Sequence, residues 1–207
     1  MNNPEETLIG LTGTYCAGKN YIAGLLEKRG LPVLDVDKLG HEVMEAEKEA
    51  ILGRFGPSVL ASDGTIIDRR SLGQRVFGKP EELAALEAIV HPAANRLTEA
   101  WIQGHPGVPC VINAALLHRS SVFPGLRAII LVRAPAILRF LRARKRDRLP
   151  LWDLVKRFKS QRQFNTQYLQ GKTDIYTVDN TGFSVFSWGG LENRIDTILS
   201  RLGIMER

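Results

Sequence analysis

A glycine-rich segment near the start of the chain carries the strongest chemical signal. Residues 13–20 read Gly-Thr-Tyr-Cys-Ala-Gly-Lys-Asn, which matches the pattern G-x-x-x-x-G-K of a phosphate-binding loop. The glycines let the backbone curl tightly and point successive N–H groups at phosphate oxygens, and Lys19 then reaches the β- and γ-phosphates of a nucleoside triphosphate. A helix that begins at Lys19 adds the positive end of its dipole. The predicted nucleotide-binding residues of this segment are Gly13, Thr14, Tyr15, Cys16, Ala17, Gly18, Lys19, Asn20 and Tyr21.

The last position of the pattern, Asn20, departs from the usual residue type. Ser or Thr normally stands there, and its hydroxyl binds Mg²⁺. An amide oxygen can also bind Mg²⁺, so Asn20 is the candidate metal ligand, although it is bulkier and carries no hydroxyl. A chance match is the alternative interpretation of the whole segment. Its position between an apolar strand and a helical pattern favours the functional interpretation.

A basic segment further along the chain also suits phosphate chemistry. Arg139, Arg142 and Arg146 are spaced three and four residues apart, so they share one face of a predicted helix. Such a face can clamp triphosphate oxygens when a lid closes. The alternative is a solvated basic face, which is the preferred interpretation for the other basic residues of this segment.

The segments around these residues alternate between short apolar strands and helical patterns. Apolar runs predict strands at 8–12, 32–36, 108–113, 128–132 and 175–179. Helical spacing predicts helices over 19–29, 39–45, 70–77 and 81–103, two basic helices between 136 and 164, and a closing helix around 195–202. This alternation favours a parallel sheet covered on both faces, which right-handed connections turn into a doubly wound three-layer α/β sandwich. Ligands of such sheets lie beyond the carboxyl ends of the strands.

Composition sets the outer bounds of the interpretation. The chain has 207 residues, 44% of them hydrophobic, and a net charge of +6, which fits one domain with a sizeable core and suits an anionic partner. Two cysteines do not make a disulfide framework, so we expect a reducing, cytoplasmic setting. Residues 1–7 are polar and acidic, unlike a signal peptide. No apolar run approaches the ~20 residues of a membrane helix, so no membrane partner is expected.

Several landmarks occur in an order that resembles a known family. After the loop come Leu34-Asp35-Val36-Asp37 with His41, Val76-Phe77, Pro80, Leu86-Glu87, Ile89, His91-Pro92, Ala114-Ala115-Leu116-Leu117, Arg142, Arg146-Asp147, Arg157, Gln161 and Asp179-Asn180-Thr181-Gly182. Over residues 8–202 this order resembles the dephospho-coenzyme A kinases, which are P-loop kinases similar to nucleoside monophosphate kinases. The resemblance implies a five-stranded P-loop kinase core of residues 7–36, 106–135 and 172–207, a helical acceptor-binding insertion at about 37–105 and a lid at about 140–165.

The resemblance also implies a reaction and the residues that perform it. The family uses ATP and Mg²⁺ to phosphorylate the ribose 3′-hydroxyl of dephospho-coenzyme A, the last step of coenzyme A synthesis. Asp35 stands at the place of the general base, with Lys19 and Arg142 as the other catalytic residues; a cap or turn residue is the alternative for Asp35. Arg146 and Asn180 are expected to contact the nucleotide, Asn180 at the adenine base, although Asn180 also suits an ordinary turn. The expected acceptor-binding residues are Thr12, Asp35, His91 and Leu116, although His91-Pro92 also suits a helix bend.

The sequence departs from the family pattern after the third predicted strand. Asn113 stands where the family has Asp, and Arg119 stands where it has Glu. In P-loop proteins an aspartate at that strand end holds Mg²⁺ or its water, so Asn20 and Asn113 both fall near the expected metal. The loss of a carboxylate there costs about 3 kcal/mol in the transition state, roughly a hundredfold in rate. Arg119 reverses the charge near the expected acceptor pocket, which could change the substrate that the chain accepts.

Three alternatives stand beside this interpretation. The first is a P-loop kinase of the same lineage that acts on another small hydroxyl acceptor. The second is a regulatory module that binds nucleotide or coenzyme A without turnover, and Asn20 and Asn113 favour it. The third is a nucleic-acid-binding module built on residues 139–148, but the segment lacks a recognisable nucleic-acid motif. We therefore expect small-molecule partners and no nucleic acid, with the chain acting as a monomer or a homotrimer, as in the family.

Overall fold

A computed structural model of the chain describes residues 8–147, 150–160, 173–181 and 188–205. The strands are β1 (Leu8–Gly13), β2 (Val33–Asp35), β3 (Cys110–Asn113), β4 (Ala128–Arg133) and β5 (Asp174–Asp179). The helices are α1 (Lys19–Glu27), α2 (Gly40–Ala46), α3 (Lys48–Phe55), α4 (Arg69–Val76), α5 (Pro80–Gln103), α6 (Ala136–Asp147), α7 (Leu151–Ser160) and α8 (Trp188–Arg201). In this described part of the chain, none of the helices has the length and apolar character needed to cross a membrane.

The five strands form one parallel sheet in the order β2-β3-β1-β4-β5. The register places Asn113 of β3 beside Leu11 of β1 on one side and beside Asp35 of β2 on the other. Because parallel strands end at the same edge, the carboxyl ends of β1, β2 and β3 lie next to one another. The five-stranded parallel α/β sheet predicted from the sequence is confirmed.

Both faces of the sheet are covered. On one face, Ile22 and Leu26 of α1 and Ile195 and Leu199 of α8 share a buried cluster with alternate residues of β1 and β4. The opposite face is reached at Gly10, where an added Cβ would lie 2.5 Å from Leu117 and 2.8 Å from Leu126. Side chains thus pack on the sheet from two sides, which confirms the doubly wound layered architecture.

The turn that ends α1 delivers the chain to β2. Ile22, Leu25 and Leu26 are buried at helical spacing, and Gly30 ends the pattern with a φ of 81°. The N–H of Gly30 donates to Glu27 O at 2.9 Å, and the N–H of Leu31 donates to Leu26 O at 3.2 Å. A left-handed glycine with these two hydrogen bonds closes a helix and reverses the chain, which sends it back toward the sheet as β2.

An ion pair joins the end of α1 to α8. Arg29 donates to both carboxylate oxygens of Asp196, through Nε to Oδ1 and through Nη2 to Oδ2, and through Nη1 to Leu25 O at 3.0 Å. The hydrogen bond from Arg29 lowers the pKa of the Asp196 carboxyl. A lowered pKa in the folded state means that the pair stabilises the fold above the unfolded-state pKa of about 3.9. That contribution is lost as the pH falls through the pKa of the folded state.

Asp196→Asn is therefore expected to lower the Tm by about 1–3 °C at neutral pH, the range for a partly exposed ion pair. The difference from the wild type should disappear in acid, where Asp196 is protonated in both states of the wild type. Thermal unfolding at several pH values measures this. Asp174→Asn, which removes an exposed carboxylate from the start of β5, is the matched control. A Tm difference between Asp196→Asn and the wild type that does not change with pH would contradict the stabilising role of the Arg29–Asp196 ion pair.

Residues 36–104 form a compact unit of helices, and the sheet with its flanking helices forms a second unit. The helical unit has its own buried core, made of Ile51, Phe55, Val59, Ile67, Leu72 and Val76. Asp68 caps α4, since its carboxylate accepts from the N–H groups of Arg70 at 3.1 Å and Ser71 at 3.0 Å. The acceptor-binding role of this helical segment and the lid boundaries at 140–165 stay predictions.

Several elements differ from the sequence prediction, and helix α8 begins at Trp188, seven residues before the predicted start. Helix α3 is not predicted, because its buried residues Ile51 and Phe55 give a single apolar pair and Gly53 interrupts the pattern. Strand β3 begins at Cys110, two residues later than predicted. Pro109 lacks the N–H that a strand needs for pairing, and Val108 is 40% exposed, so the apolar run overestimates the strand.

Candidate active site

The glycine-rich loop lies at the carboxyl end of the central strand β1 and leads into α1. Gly13 is the last residue of β1, and an added Cβ there would lie 2.7 Å from Val132 O of β4. This contact excludes any larger residue. Within the loop, Ala17 N–H donates to Thr14 O at 2.9 Å, and Lys19 is the first residue of α1. The chain thus turns from strand to helix over five residues, as a phosphate loop requires.

Two residues of the loop have a left-handed backbone. Cys16 has a φ of 58° and Gly18 has a φ of 96°, on either side of Ala17. A positive φ is uncommon for a residue with a side chain and marks a conformation held by its surroundings. Left-handed residues in a turn aim neighbouring N–H groups into one concavity that binds anions. The loop therefore has the backbone shape of a phosphate cradle.

Asn180 and Arg142 hold the outside of this loop. Asn180, 7% exposed, follows β5 and donates through Nδ2 to Ala17 O at 2.9 Å. Arg142 of α6 donates to the same oxygen at 3.3 Å, and its Nη2 reaches Asn180 Oδ1 at 3.3 Å and Asn180 O at 3.2 Å. The structure thus brings together two residues that the sequence predicted for the site, and both contact the loop itself.

Tyr15 joins the loop to helices α6 and α7. Its hydroxyl donates to Asp147 Oδ2, and its ring meets the Phe158 ring edge-on at 5.8 Å between centroids. Arg146 donates to both oxygens of Asp147, at 2.6 and 3.2 Å, and its guanidinium carbon lies 5.3 Å from the centre of the Tyr15 ring. Asp147 raises the pKa of Arg146, which stays charged. Arg146 is therefore beside the loop, with Asp147 as its anion, and its contact with a nucleotide stays a prediction.

Cys16 and Arg139 complete this side of the loop. Burial raises the pKa of the Cys16 thiol, although nearby Arg146 opposes the change. The thiol is therefore neutral at physiological pH, which fits a filler residue. Burial also lowers the pKa of Arg139, whose guanidinium carbon lies 4.9 Å from the centre of the Phe158 ring. Arg139 thus stacks on an aromatic ring, while Arg142 reaches the loop.

Asn20, the predicted metal ligand, lies beside Asn113 at the end of β3. Asn113 Nδ2 donates to Asn20 Oδ1 at 3.3 Å, and Asn113 is 1% exposed. Within the described residues, nothing donates a hydrogen bond to Asn113 Oδ1, which is buried. Asp35 lies beside Asn113 through the strand register. A buried carbonyl oxygen that accepts from no described donor is suited to a cation or to a water bound to one, so the two amides fit Mg²⁺.

The predicted acceptor-binding residues fall in different places. Thr12 is fully buried and its hydroxyl donates to Ala115 O at 3.5 Å, so it links β1 to the segment after β3. Leu116 in that segment is 48% exposed. His91 lies on α5 in the helical unit, directly before Pro92 inside the helix. Tyr21 on α1 is 56% exposed, so its contact with a nucleotide stays a prediction.

His118 and Arg119 follow Leu116 and Leu117 in the segment after β3. Burial and then the positive charge of Arg119 lower the pKa of His118, so this histidine is neutral at physiological pH. Arg119 is exposed and leaves the segment with a net positive charge. An anionic acceptor would be attracted to this position, where the family pattern has an acidic residue.

The structure adds Asp147 to the candidate site. The sequence includes it in the Arg146-Asp147 pair of the lid pattern but does not connect it with Tyr15, which lies 132 residues earlier. The signal available from sequence is an acidic residue at the end of a basic helix, which is too common to single out. Only the folded structure shows that Asp147 is the common partner of Tyr15 and Arg146.

Comparison with known proteins identifies the lineage. A family model described as dephospho-CoA kinase matches residues 7–182. The chain is 32% identical over 208 residues to the dephospho-CoA kinase of Treponema pallidum, covering 96% of each chain, and 34% identical over 182 residues to that of Shouchella clausii, covering 84% of this chain and 89% of the relative. The crystal structure of TT1252 from Thermus thermophilus is similar with a TM-score of 0.74 and 30% identity, covering 97% of this chain and 98% of the other. With its phosphate loop and strand-end residues in place, the chain belongs to the dephospho-CoA kinase family.

Proposed function

We propose that this chain transfers the γ-phosphoryl group of ATP to the ribose 3′-hydroxyl of dephospho-coenzyme A, which gives coenzyme A. The observation that carries the proposal is the arrangement at one edge of the sheet. The phosphate loop follows the central strand β1, and Asp35 ends β2 at the same edge. Membership of the dephospho-CoA kinase family supports the choice of acceptor.

The loop and its helix bind the triphosphate in this proposal. The N–H groups of residues 13–21 surround the phosphates, and the start of α1 contributes a positive dipole end. Lys19, the first residue of that helix, offsets charge on the β- and γ-phosphates. Arg142 and Arg146 lie against the outside of the loop and add positive charge from α6.

Asp35 acts as the general base. Asp35 and Leu11 are each paired with Asn113, so Asp35 lies two strand spacings from β1, about 10 Å between Cα atoms. That separation leaves room for a phosphoryl group and a hydroxyl between the loop and the carboxylate. Asp35 accepts the hydroxyl proton as the new O–P bond forms, while Lys19 and Arg142 stabilise the charge on the transferred group.

Mg²⁺ is the proposed metal. Asn20 and Asn113 would hold it through their side-chain oxygens or through bound water. When bound, a divalent cation neutralises charge on the β- and γ-phosphates. Neither amide carries charge, so the triphosphate itself supplies most of the attraction for the cation in this chain.

The remaining assignments follow the family. Thr12, His91 and Leu116 are proposed to contact the acceptor, residues 37–105 to form its binding segment and residues 140–165 to form the lid. The positive charge at Arg119 suits the phosphates of dephospho-coenzyme A. We also propose a cytoplasmic location, small-molecule partners, and action as a monomer or a homotrimer.

Acceptor-dependent ADP release tests the proposal. Purified protein with ATP and Mg²⁺ is expected to release ADP when dephospho-coenzyme A is added, and mass spectrometry should show one added phosphoryl group on the acceptor. Coenzyme A is the matched control, since its 3′ position already carries a phosphate and cannot accept another. Equal ADP release with both compounds would overturn the assignment of the 3′-hydroxyl.

A second function is favoured by the amide pair at Asn20 and Asn113. A chain that binds nucleotide or coenzyme A with little turnover could act as a regulatory module, because a neutral metal site stabilises less charge in the transition state. ATP binding without acceptor-dependent ADP release would favour this function. Turnover with a different hydroxyl compound would instead point to another acceptor.

A further inference from the structure

The carbonyl group of Ala17 is fixed by two donors outside the phosphate loop. Asn180 Nδ2 lies 2.9 Å from Ala17 O, and Arg142 Nη1 lies 3.3 Å from the same oxygen. A trans peptide is planar, so its C=O and N–H groups point in opposite directions. With Ala17 O held on the outside, the N–H of Gly18 points to the inside, where a phosphate loop binds its anion.

Gly18 and Asn180 have complementary shapes. Gly18 has a φ of 96°, and an added Cβ would overlap Asn180 Nδ2. The amide of Asn180 therefore occupies the space that the missing side chain leaves. The backbone N–H of Asn180 donates to Arg133 O at 2.7 Å, which ties the residue to the end of β4. A rigid sheet thus sets the position of the amide that holds the loop.

Asn180 also orients Arg142. The Nη2 group of Arg142 donates to Asn180 Oδ1 at 3.3 Å and to Asn180 O at 3.2 Å, while Nη1 turns toward Ala17 O. One buried amide therefore uses its nitrogen on the loop and its oxygen on the arginine of α6. A carboxylate could accept from the arginine but could not donate to Ala17 O, and a shorter side chain would reach neither.

We propose that Asn180 is a positioning residue for phosphate binding: it fixes the Ala17–Gly18 peptide and the Arg142 guanidinium in the orientation that receives the triphosphate. This inference rests on the proposed function as a nucleotide-binding kinase. It replaces the expected contact between the Asn180 side chain and the adenine base with a contact to the loop. A loop-positioning role affects every ligand that carries the triphosphate, whereas an adenine contact affects only ligands that carry the base.

Calorimetric titration with ATP and with inorganic tripolyphosphate, which has no base, separates these roles. Asn180→Ala is expected to raise the Kd of both ligands by about tenfold, the effect of one lost hydrogen bond to an ordered group. Asn193→Ala, which changes an exposed asparagine of α8, is the control. Weaker binding of ATP with unchanged binding of tripolyphosphate would overturn the proposal in favour of a base contact.

Asn180→Asp is the second variant, because it keeps the volume and the acceptor for Arg142 but loses the donor to Ala17 O. It is expected to bind both ligands at least as weakly as Asn180→Ala, with the KM for dephospho-coenzyme A unchanged. A variant that binds both ligands like the wild type would overturn the inference and leave the kinase function intact. A wild-type chain that binds neither ligand would overturn the proposed function and this inference with it.

Discussion

Lys19→Ala is expected to lower kcat/KM for phosphorylation of dephospho-coenzyme A by about 10³-fold, the scale for removing a charged group that acts on the transferred phosphoryl oxygens. Lys19 opens α1 directly after the left-handed Gly18, so its side chain starts at the mouth of the phosphate loop. The neighbouring Asn20 is neutral and contacts Asn113, so it does not supply the missing charge. Steady-state kinetics with varied ATP measures the loss.

Lys28→Ala is the matched control for this prediction. Lys28 is an exposed lysine at the C-cap of the same helix, so its removal changes the net charge equally and leaves the loop untouched. The control should keep the wild-type kcat and KM. Loss of activity in both variants would assign the effect to overall charge, and wild-type activity in Lys19→Ala would contradict the role of the loop.

Asp35→Asn is expected to lower kcat by about 10²–10⁴-fold, the usual contribution of a general base, while the Kd for ATP stays at the wild-type value. The substitution keeps the size of the side chain at the end of β2 but leaves no carboxylate to accept the hydroxyl proton. Single-turnover measurement of phosphoryl transfer with both substrates bound separates this chemical step from binding. A calorimetric titration with ATP supplies the second value.

Asp174→Asn serves as the control for Asp35→Asn. It removes an exposed carboxylate at the amino end of β5, at the opposite edge of the sheet from the candidate site. Its kcat should equal that of the wild type. If Asp35→Asn also kept the wild-type kcat, Asp35 would not be the base, and Asp37, the next acidic residue along the chain, would be tested in its place.

The phosphate loop and the sheet could be predicted because their signals are local. The spacing of Gly13, Gly18 and Lys19 identifies the loop, and short apolar runs identify the strands. The strand order was not predicted, so the position of Asn113 beside Asp35 comes from the structure. Helix α3 could not be predicted, because its burial depends on packing within the helical unit and its sequence gives too few apolar positions.

The contacts of Asn180 and Tyr15 lay beyond sequence reasoning for a different reason. Asn180 was expected at the site because it follows the last strand. Its partner is the backbone carbonyl of Ala17, and every residue has such a group, so the sequence could not identify it. Tyr15 binds Asp147 through a hydrogen bond that spans most of the chain. Local patterns place residues at the correct edge of the sheet, and the choice of partner then depends on distances that only the folded chain sets.

Leu116 and Leu117, the two leucines after β3, lie in different environments: Leu117 is buried and Leu116 is exposed. Leu117 fills the volume that Gly10 leaves open in β1, while the adjacent Leu116, a proposed acceptor contact, is half exposed. A protein engineer who alters acceptor preference could therefore diversify position 116 in a library while positions 10 and 117 stay fixed. Larger residues at position 10 would displace Leu117 and shift the backbone that carries Leu116, so selectivity could change through a residue that never meets the acceptor.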